Sequence, residues 1–241
     1  ATSTFEILSS QETQRKITQS NSKQTQREKI HPLLLLCYLD ALGYSHRVKT
    51  RKIAELFPVV LGRYISALRN FISVREALNL RLGRAKVEQI DARNLENKVE
   101  SSSVDGIITS PPYSFAIDYL KGDSLQLEYL GYDVTTLREN MIGLRGSGLK
   151  NQVFNYLDDM NKVVGEMARV LKPAHYAVII VGTNTVQLEK VKAATGMRLE
   201  DELVKLAMKN RLALVQRFER PIEGVQNIMK SEHILLLKKR D

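Results

Sequence analysis

Val104-Asp105-Gly106-Ile107-Ile108-Thr109-Ser110-Pro111-Pro112-Tyr113 is the stretch that decides how this chain is read. Val104 to Thr109 is an apolar run with one charge, the pattern of a strand buried in a parallel sheet. It runs straight into two prolines and an aromatic ring. In open α/β sheets, ligands bind beyond the carboxyl ends of the strands. Two prolines fix the backbone there and remove two amide donors, which leaves carbonyls as acceptors. The same residues could also serve only as a rigid turn, with Tyr113 capping the core.

Working outward, the surrounding sequence alternates between strand and helix patterns. Lys86 to Ile90 reads as a short strand ending at Asp91. Val153, Leu157, Met160, Val164, Met167 and Leu171 recur at helical spacing, and that helix should stop at Lys172-Pro173. Tyr176 to Val181 is a further buried strand, Leu199 to Lys209 a helix, and Val215 to Phe218 and His233 to Lys238 two more strands. The alternation predicts an α/β fold with a largely parallel sheet over residues 85–241.

Residues 30–84 read as helical. Leu34, Leu35, Tyr38, Leu39 and Leu42 share one face, and Gly43 reads as a stop. Thr50 should cap a second segment carrying Ile53, Ala54 and Phe57, which Pro58 should break. Tyr64, Ile65, Leu68 and Phe71 mark a third. Lys52–Phe57 followed by Arg63–Phe71 resembles a helix-turn-helix, with Arg63 and Arg69 on its second helix as candidate DNA contacts. The other reading is a plain helical bundle. Residues 1–29 form a polar, basic leader, either a linker or an arm that follows phosphates.

Charge agrees with a polyanionic partner. Residues 1–90 carry 15 Lys/Arg against 7 Asp/Glu, whereas residues 91–241 carry 21 against 20. A one-sided excess of this kind suits nucleic acid, and a merely basic soluble surface is the alternative. Cys37 is the only cysteine and lies among leucines, so it reads as a small core residue. One cysteine makes no internal disulfide, no Cys/His cluster suggests a metal site, and no apolar run is long enough to span a membrane. The first residues show no signal-peptide pattern, and a cytoplasmic location is expected.

The chemistry that Ser110-Pro111-Pro112-Tyr113 suits is transfer to the exocyclic amine of a nucleic-acid base. Such an amine is a poor nucleophile, because its lone pair is delocalised into the ring. Acceptors set against its two hydrogens hold it and favour pyramidal geometry. The Ser110 hydroxyl and the Pro111 carbonyl are the candidates, with Tyr113 stacking on a base that has left the duplex.

Here the chain resembles the S-adenosylmethionine-dependent DNA amino-methyltransferases, whose catalytic motif reads Ser/Asp/Asn-Pro-Pro-Tyr/Phe. The serine form is most like the cytosine-N4 branch; the aspartate form is more typical of adenine-N6. Asp91-Ala92-Arg93-Asn94-Leu95 looks like the strand-end segment beside the cofactor's adenine. Ala116-Ile117-Asp118-Tyr119 and Tyr129-Leu130-Gly131 look like the stretch that follows the catalytic motif; Asp118 and Tyr119 read either as shaping the base pocket or as a helix-start acid and a core aromatic. Ile142-Gly143-Leu144-Arg145 resembles a loop further on. Met160 to Pro173 looks like the helix and turn before the fifth strand of the methyltransferase sheet, and Glu232 to Leu237 like its last strand. The resemblance covers roughly residues 85–238. It implies a Rossmann-like sheet, S-adenosylmethionine as cofactor, double-stranded DNA as substrate, and a place in a restriction-modification system. Cofactor contacts would come from Asp91, Ala92, Arg93, Ser110 and Pro111.

One family feature is missing. No Phe-x-Gly-x-Gly segment precedes Asp91, and the first strands of the expected sheet are not found. Gly143 to Gly148 is rich in glycine but follows no apolar strand, and reads as a mobile loop near the active-site mouth. Three readings follow: half of a split enzyme whose glycine motif lies on a second polypeptide, a truncated product, or a DNA-binding relative without catalysis. An RNA amino-methyltransferase is a further alternative. A partial sheet would expose an apolar edge, which favours a partner chain.

Overall fold

The computed structural model describes residues 26–112, 118–183, 185–222 and 231–241. In chain order the elements are α1 (Gln26–Val48), α2 (Ile53–Ala77), β1 (Val104–Thr109), α3 (Tyr119–Gly122), α4 (Ser124–Tyr129), α5 (Val134–Asn140), α6 (Leu149–Val170), β2 (Leu171–Thr183), α7 (Thr185–Thr195), α8 (Leu199–Lys209), β3 (Leu212–Pro221) and β4 (Ser231–Lys239). They form two units. One comprises the described part of Ala1–Ala85 together with Gly122–Tyr132; the other is Lys86–Lys121 with Asp133–Asp241. Residues 122–132 thus fold with the helices, although they lie inside the 85–241 stretch.

In the helical unit, Cys37 and Ala41 of α1 pack against Leu56 and Val60 of α2, all buried. This is the bland role expected of Cys37, and burial pushes its thiol pKa up. Gly43 does not end α1. The helix continues to Val48, and a Cβ on Gly43 would fall 2.0 Å from Gln126 Nε2 of α4. The glycine marks a close approach of two elements, not a stop.

Pro58 does not break α2 either. Ile53–Ala77 is one helix of 25 residues, capped at Lys52 rather than Thr50. The helix-turn-helix expected over Lys52–Phe57 and Arg63–Phe71 is therefore absent. At its position early in the helix Pro58 forgoes one hydrogen bond, to the Ala54 carbonyl. Continuing the helix keeps Leu56 and Val60 on the face that meets α1.

The other unit holds a four-stranded sheet in the order β1-β2-β4-β3. β1 runs parallel to β2, while β2/β4 and β3/β4 are antiparallel. The expected largely parallel sheet is corrected to a mixed one. Helix α6 carries the chain from β1 back to a parallel β2, whereas β3 and β4, consecutive in the chain and adjacent in the sheet, pair antiparallel. Alternation then sets the core. Ala177, Ile179 and Val181 of β2 and Leu235 and Leu237 of β4 are buried, joined by Tyr156, Met160 and Val164 of α6 and Leu203 and Ala207 of α8. The intervening side chains lie on the opposite face, where Tyr176 and Phe218 are 47% and 42% exposed.

The boundary between helix α6 and strand β2 moved, and one expected strand is missing. Helix α6 ends at Val170 and β2 begins at once at Leu171, five residues before the strand expected from Tyr176. The extra length is a bulge: Val104 pairs with Leu171, but Gly106 already pairs with Tyr176. Pro173, which has no amide to give a ladder, sits inside the bulge. The expected strand Lys86–Ile90 is not formed, and Val87 is almost wholly exposed. Its pattern is strand-like, but it pairs with no strand among the described residues.

Candidate active site

Helix α6 is the spine of the site region. At its carboxyl end, Glu166 accepts hydrogen bonds from the Leu95 amide (2.7 Å) and from Arg169 Nε and Nη2 (both 2.8 Å). Arg169 Nη1 reaches the Val99 carbonyl at 3.0 Å and Ser101 Oγ at 3.2 Å. The Ser102 and Ser103 amides donate to the Arg169 and Val170 carbonyls. These bonds feed the chain into β1 in a fixed register.

The Arg169 guanidinium, first among several causes, holds the Glu166 carboxyl below its ordinary pKa. A lowered acid pKa stabilises the fold above the unfolded value, and that contribution disappears as pH falls through the folded one. Unfolding stability measured from pH 6 down to pH 3 should therefore drop on the acid side, and Glu166→Gln should flatten that limb. An unchanged acid limb in the variant would remove Glu166 from the account.

The strand-end segment is held at the other half of the helix. Arg93 grips Asp91 side-on, with Nε to Oδ1 at 3.0 Å and Nη2 to Oδ2 at 2.6 Å, while the Arg93 amide donates to Oδ1 at 2.8 Å. Arg93 Nη1 also reaches Asp159 Oδ1 of α6 at 3.0 Å, and Nη2 reaches the Asn140 carbonyl at 3.0 Å. The hydrogen bond from Arg93 is the main cause that lowers the Asp91 pKa. Ala92 lines an apolar cleft of about 240 Å³ beside β1, with Val104, Ile107, Thr109, Val163 and Met167.

The Gly143–Gly148 loop is fastened rather than loose. Arg145 grips Asp159, with Nε to Oδ2 at 3.2 Å and Nη2 to Oδ1 at 2.6 Å. Asn155 Nδ2 holds the Arg145 carbonyl at 3.2 Å, Gln152 Nε2 the Gly146 carbonyl at 3.3 Å, and Asn151 Nδ2 the Ser147 carbonyl at 3.1 Å. Gly146 has a φ of +96°, and a Cβ there would fall 2.7 Å from Asn155 Nδ2. The glycines serve a tight wrap around the start of α6.

Ser110, Pro111 and Pro112 follow directly on β1, whose last residue Thr109 is paired with Ile179. They therefore sit at the carboxyl end of the parallel pair. Ser110 Oγ donates to the Ile180 carbonyl at 3.4 Å, and a hydroxyl that donates can still accept. Pro111 is buried. Tyr113 lies outside the described residues, as do Ala116 and Ile117.

Asp118 accepts Arg138 Nη2 at 2.7 and 3.0 Å and the Lys121 amide at 3.0 Å, which starts α3 at Tyr119. Burial raises the Asp118 pKa, but Arg138 and the amide outweigh it, so the net shift is downward. Arg63 and Arg69 belong to the helical unit. Arg63 pairs with Asp40 at 3.1 Å, and Arg69 is exposed. Six positions apart on one helix, their directions differ by about 120°.

The structure thus joins Asp91 to Arg93 and Asp118 to Arg138, and ties Ser110 to β2. Sequence reading missed Asp159, Arg138 and the three amides of α6. Asp159 had a signal: it falls between Tyr156 and Val163 on the stripe that faces inward, where an acid is out of place. Among the described residues no group of three or more His, Cys, Asp or Glu is placed to hold a metal, and no helix is long and apolar enough to cross a membrane.

No protein-family model and no curated protein matches the chain. Among solved structures it is similar to a protein described as a DNA modification methylase from Thermus thermophilus, in complex with S-adenosyl-L-methionine. That match has 18% identity and a TM-score of 0.37, covering 63% of this chain and 51% of the other. A SAM-dependent methyltransferase from Methanosarcina mazei matches at 13% identity and a TM-score of 0.41, covering 66% of this chain and 68% of that one. The chain spans about half the length of the Thermus protein. At these identities and scores the likeness assigns neither a family nor a reaction.

Proposed function

We propose that this chain is the amine-gripping part of an S-adenosylmethionine-dependent methyltransferase that acts on an exocyclic amine of a DNA base, with cytosine N4 favoured over adenine N6. The observation that carries the reading is the placement of Ser110-Pro111-Pro112 immediately after β1, at the carboxyl end of its parallel pair with β2. There the Ser110 hydroxyl and the Pro111 carbonyl would hold the two amine hydrogens of a flipped base, with Tyr113 against its ring. The Arg138–Asp118 pair would fix one wall of the base pocket. Positioning and fixed dipoles are the protein's contribution to rate.

The residues present fit one side of the cofactor. Both oxygens of Asp91 accept from Arg93, yet its side chain is about half exposed (48%), and Ala92 opens on the apolar cleft. When bound, the cofactor would supply an electrophilic methyl group. Among the described residues nothing provides the glycine-rich backbone that its charged methionine end needs. We assign that part to a second polypeptide, in keeping with a sheet that stops at β1 and leaves Ile108 79% exposed.

The test is transfer of labelled methyl to unmethylated DNA, followed by nucleoside analysis, for this chain alone and with whatever co-purifies natively. Activity only with the partner supports the split enzyme. Activity of the chain alone would remove the need for a second polypeptide. DNA binding without transfer in either case would move the reading to a non-catalytic nucleic-acid-binding subunit, and preference for RNA in competition to an RNA amino-methyltransferase.

A further inference from the structure

We infer that Asp159 is a positioning residue for the cofactor side of the proposed site: its buried carboxylate holds Arg93, and through Arg93 sets Asp91. The inference rests on the proposed function for the role of Asp91 and on the structure for everything else.

Asp159 points inward from α6 with its side chain only 1% exposed, flanked along the helix by buried Tyr156, Met160 and Val163. A lone carboxylate in such a place is strongly disfavoured, so it must be matched. Two guanidinium groups match it, and they come from segments about fifty residues apart in sequence. Arg93 arrives from the strand-end segment and Arg145 from the glycine loop. Apolar side chains filling the same space would often be as stable as a buried ion cluster. What apolar side chains cannot do is aim a planar fork. With Nη1 on Asp159 and Nη2 on the Asn140 carbonyl, the Arg93 plane is fixed, and its remaining edge sets both oxygens of Asp91.

A merely structural role is separable from this one. Asn155 also secures the glycine loop, through the Arg145 carbonyl, but does not touch Arg93. If Asp159 only pinned the loop, Asp159→Asn and Asn155→Ala would behave alike toward the cofactor.

The experiment uses the full chain with its co-purifying partner and two readouts. One is the calorimetric affinity for S-adenosylmethionine; the other is hydrogen exchange at the Arg93 amide, which is bonded to Asp91 Oδ1. Asp159→Asn is expected to speed exchange at Arg93 and to weaken cofactor binding about tenfold or more, the size seen when a ligating side chain loses its supporting partner. Asn155→Ala should leave affinity within about twofold. Equal effects of the two variants, or unchanged exchange and affinity in Asp159→Asn, overturn the inference. If Asp159→Asn does not fold, Arg93→Lys takes its place: it keeps a cation on Asp159 without the fork, and should weaken binding equally. An unchanged affinity there overturns the inference too. If the wild-type assembly binds no cofactor, the proposed function fails, while exchange at Arg93 still decides whether Asp159 sets that segment.

Discussion

Leu235→Ala should lower the stability of the sheet unit by about 2–5 kcal/mol, the range for truncating a large side chain in a packed core. Leu235 is fully buried on β4, the strand flanked by both β2 and β3, and lies opposite Ile179. Helices α6 and α8 close over it, so little is free to move into the space left. Its neighbour Leu236 points to the other face of the sheet and is only partly buried. Leu236→Ala should therefore cost about 1 kcal/mol, reflecting transfer of part of the side chain and little cavity. Urea unfolding followed by circular dichroism compares the two, since the chain has no tryptophan. Equal losses would mean that the core does not lie on the α6/α8 face.

Ser110→Ala should cut methyl transfer by about 10²–10³-fold, the loss typical when one polar group aimed at the reacting centre is removed. The substitution deletes the hydroxyl that the proposed mechanism sets against the base amine, and its 3.4 Å tie to the Ile180 carbonyl. Ser110 is exposed, so folding should be little affected. DNA affinity should also be kept, because phosphate contacts dominate it and fall away with salt. Single-turnover transfer by the active assembly, with a parallel binding titration, separates the two. A rate within about twofold of wild type would place the chemistry elsewhere; joint loss of rate and binding would mean that Ser110 supports the DNA site instead.

The sequence made some of this visible and hid the rest for physical reasons. α6, α8 and β4 were legible because their apolar residues repeat at the period of the element that buries them; β1 was found from its apolar run, yet as an edge strand it is not the buried strand that run suggests. Lys86–Ile90 has the pattern of a strand but pairs with none, and a pattern alone cannot report whether pairing occurs. Pro58 and Gly43 are local signals overruled by tertiary contacts, α2 being held to α1 and α1 approaching α4. The position of Ser110-Pro111-Pro112 just after β1 was readable because an apolar run ending in two prolines is a local pattern. The Arg93–Asp159–Arg145 cluster was not, since its members lie 66 and 14 positions apart. Only Asp159, an acid on an apolar stripe, hinted at it.

Among the described residues β1 closes the sheet with one flank unpaired, and a bare flank of amides and carbonyls recruits like flanks from other molecules. The strand carries its own deterrents. Asp105 holds a charge in the open, 76% exposed and paired with Lys172, and Gly106 next to it is a poor strand former. Together they interrupt what would otherwise be a continuous sticky run from Val104 to Thr109. A charge and a glycine placed this way oppose edge-to-edge association through β1.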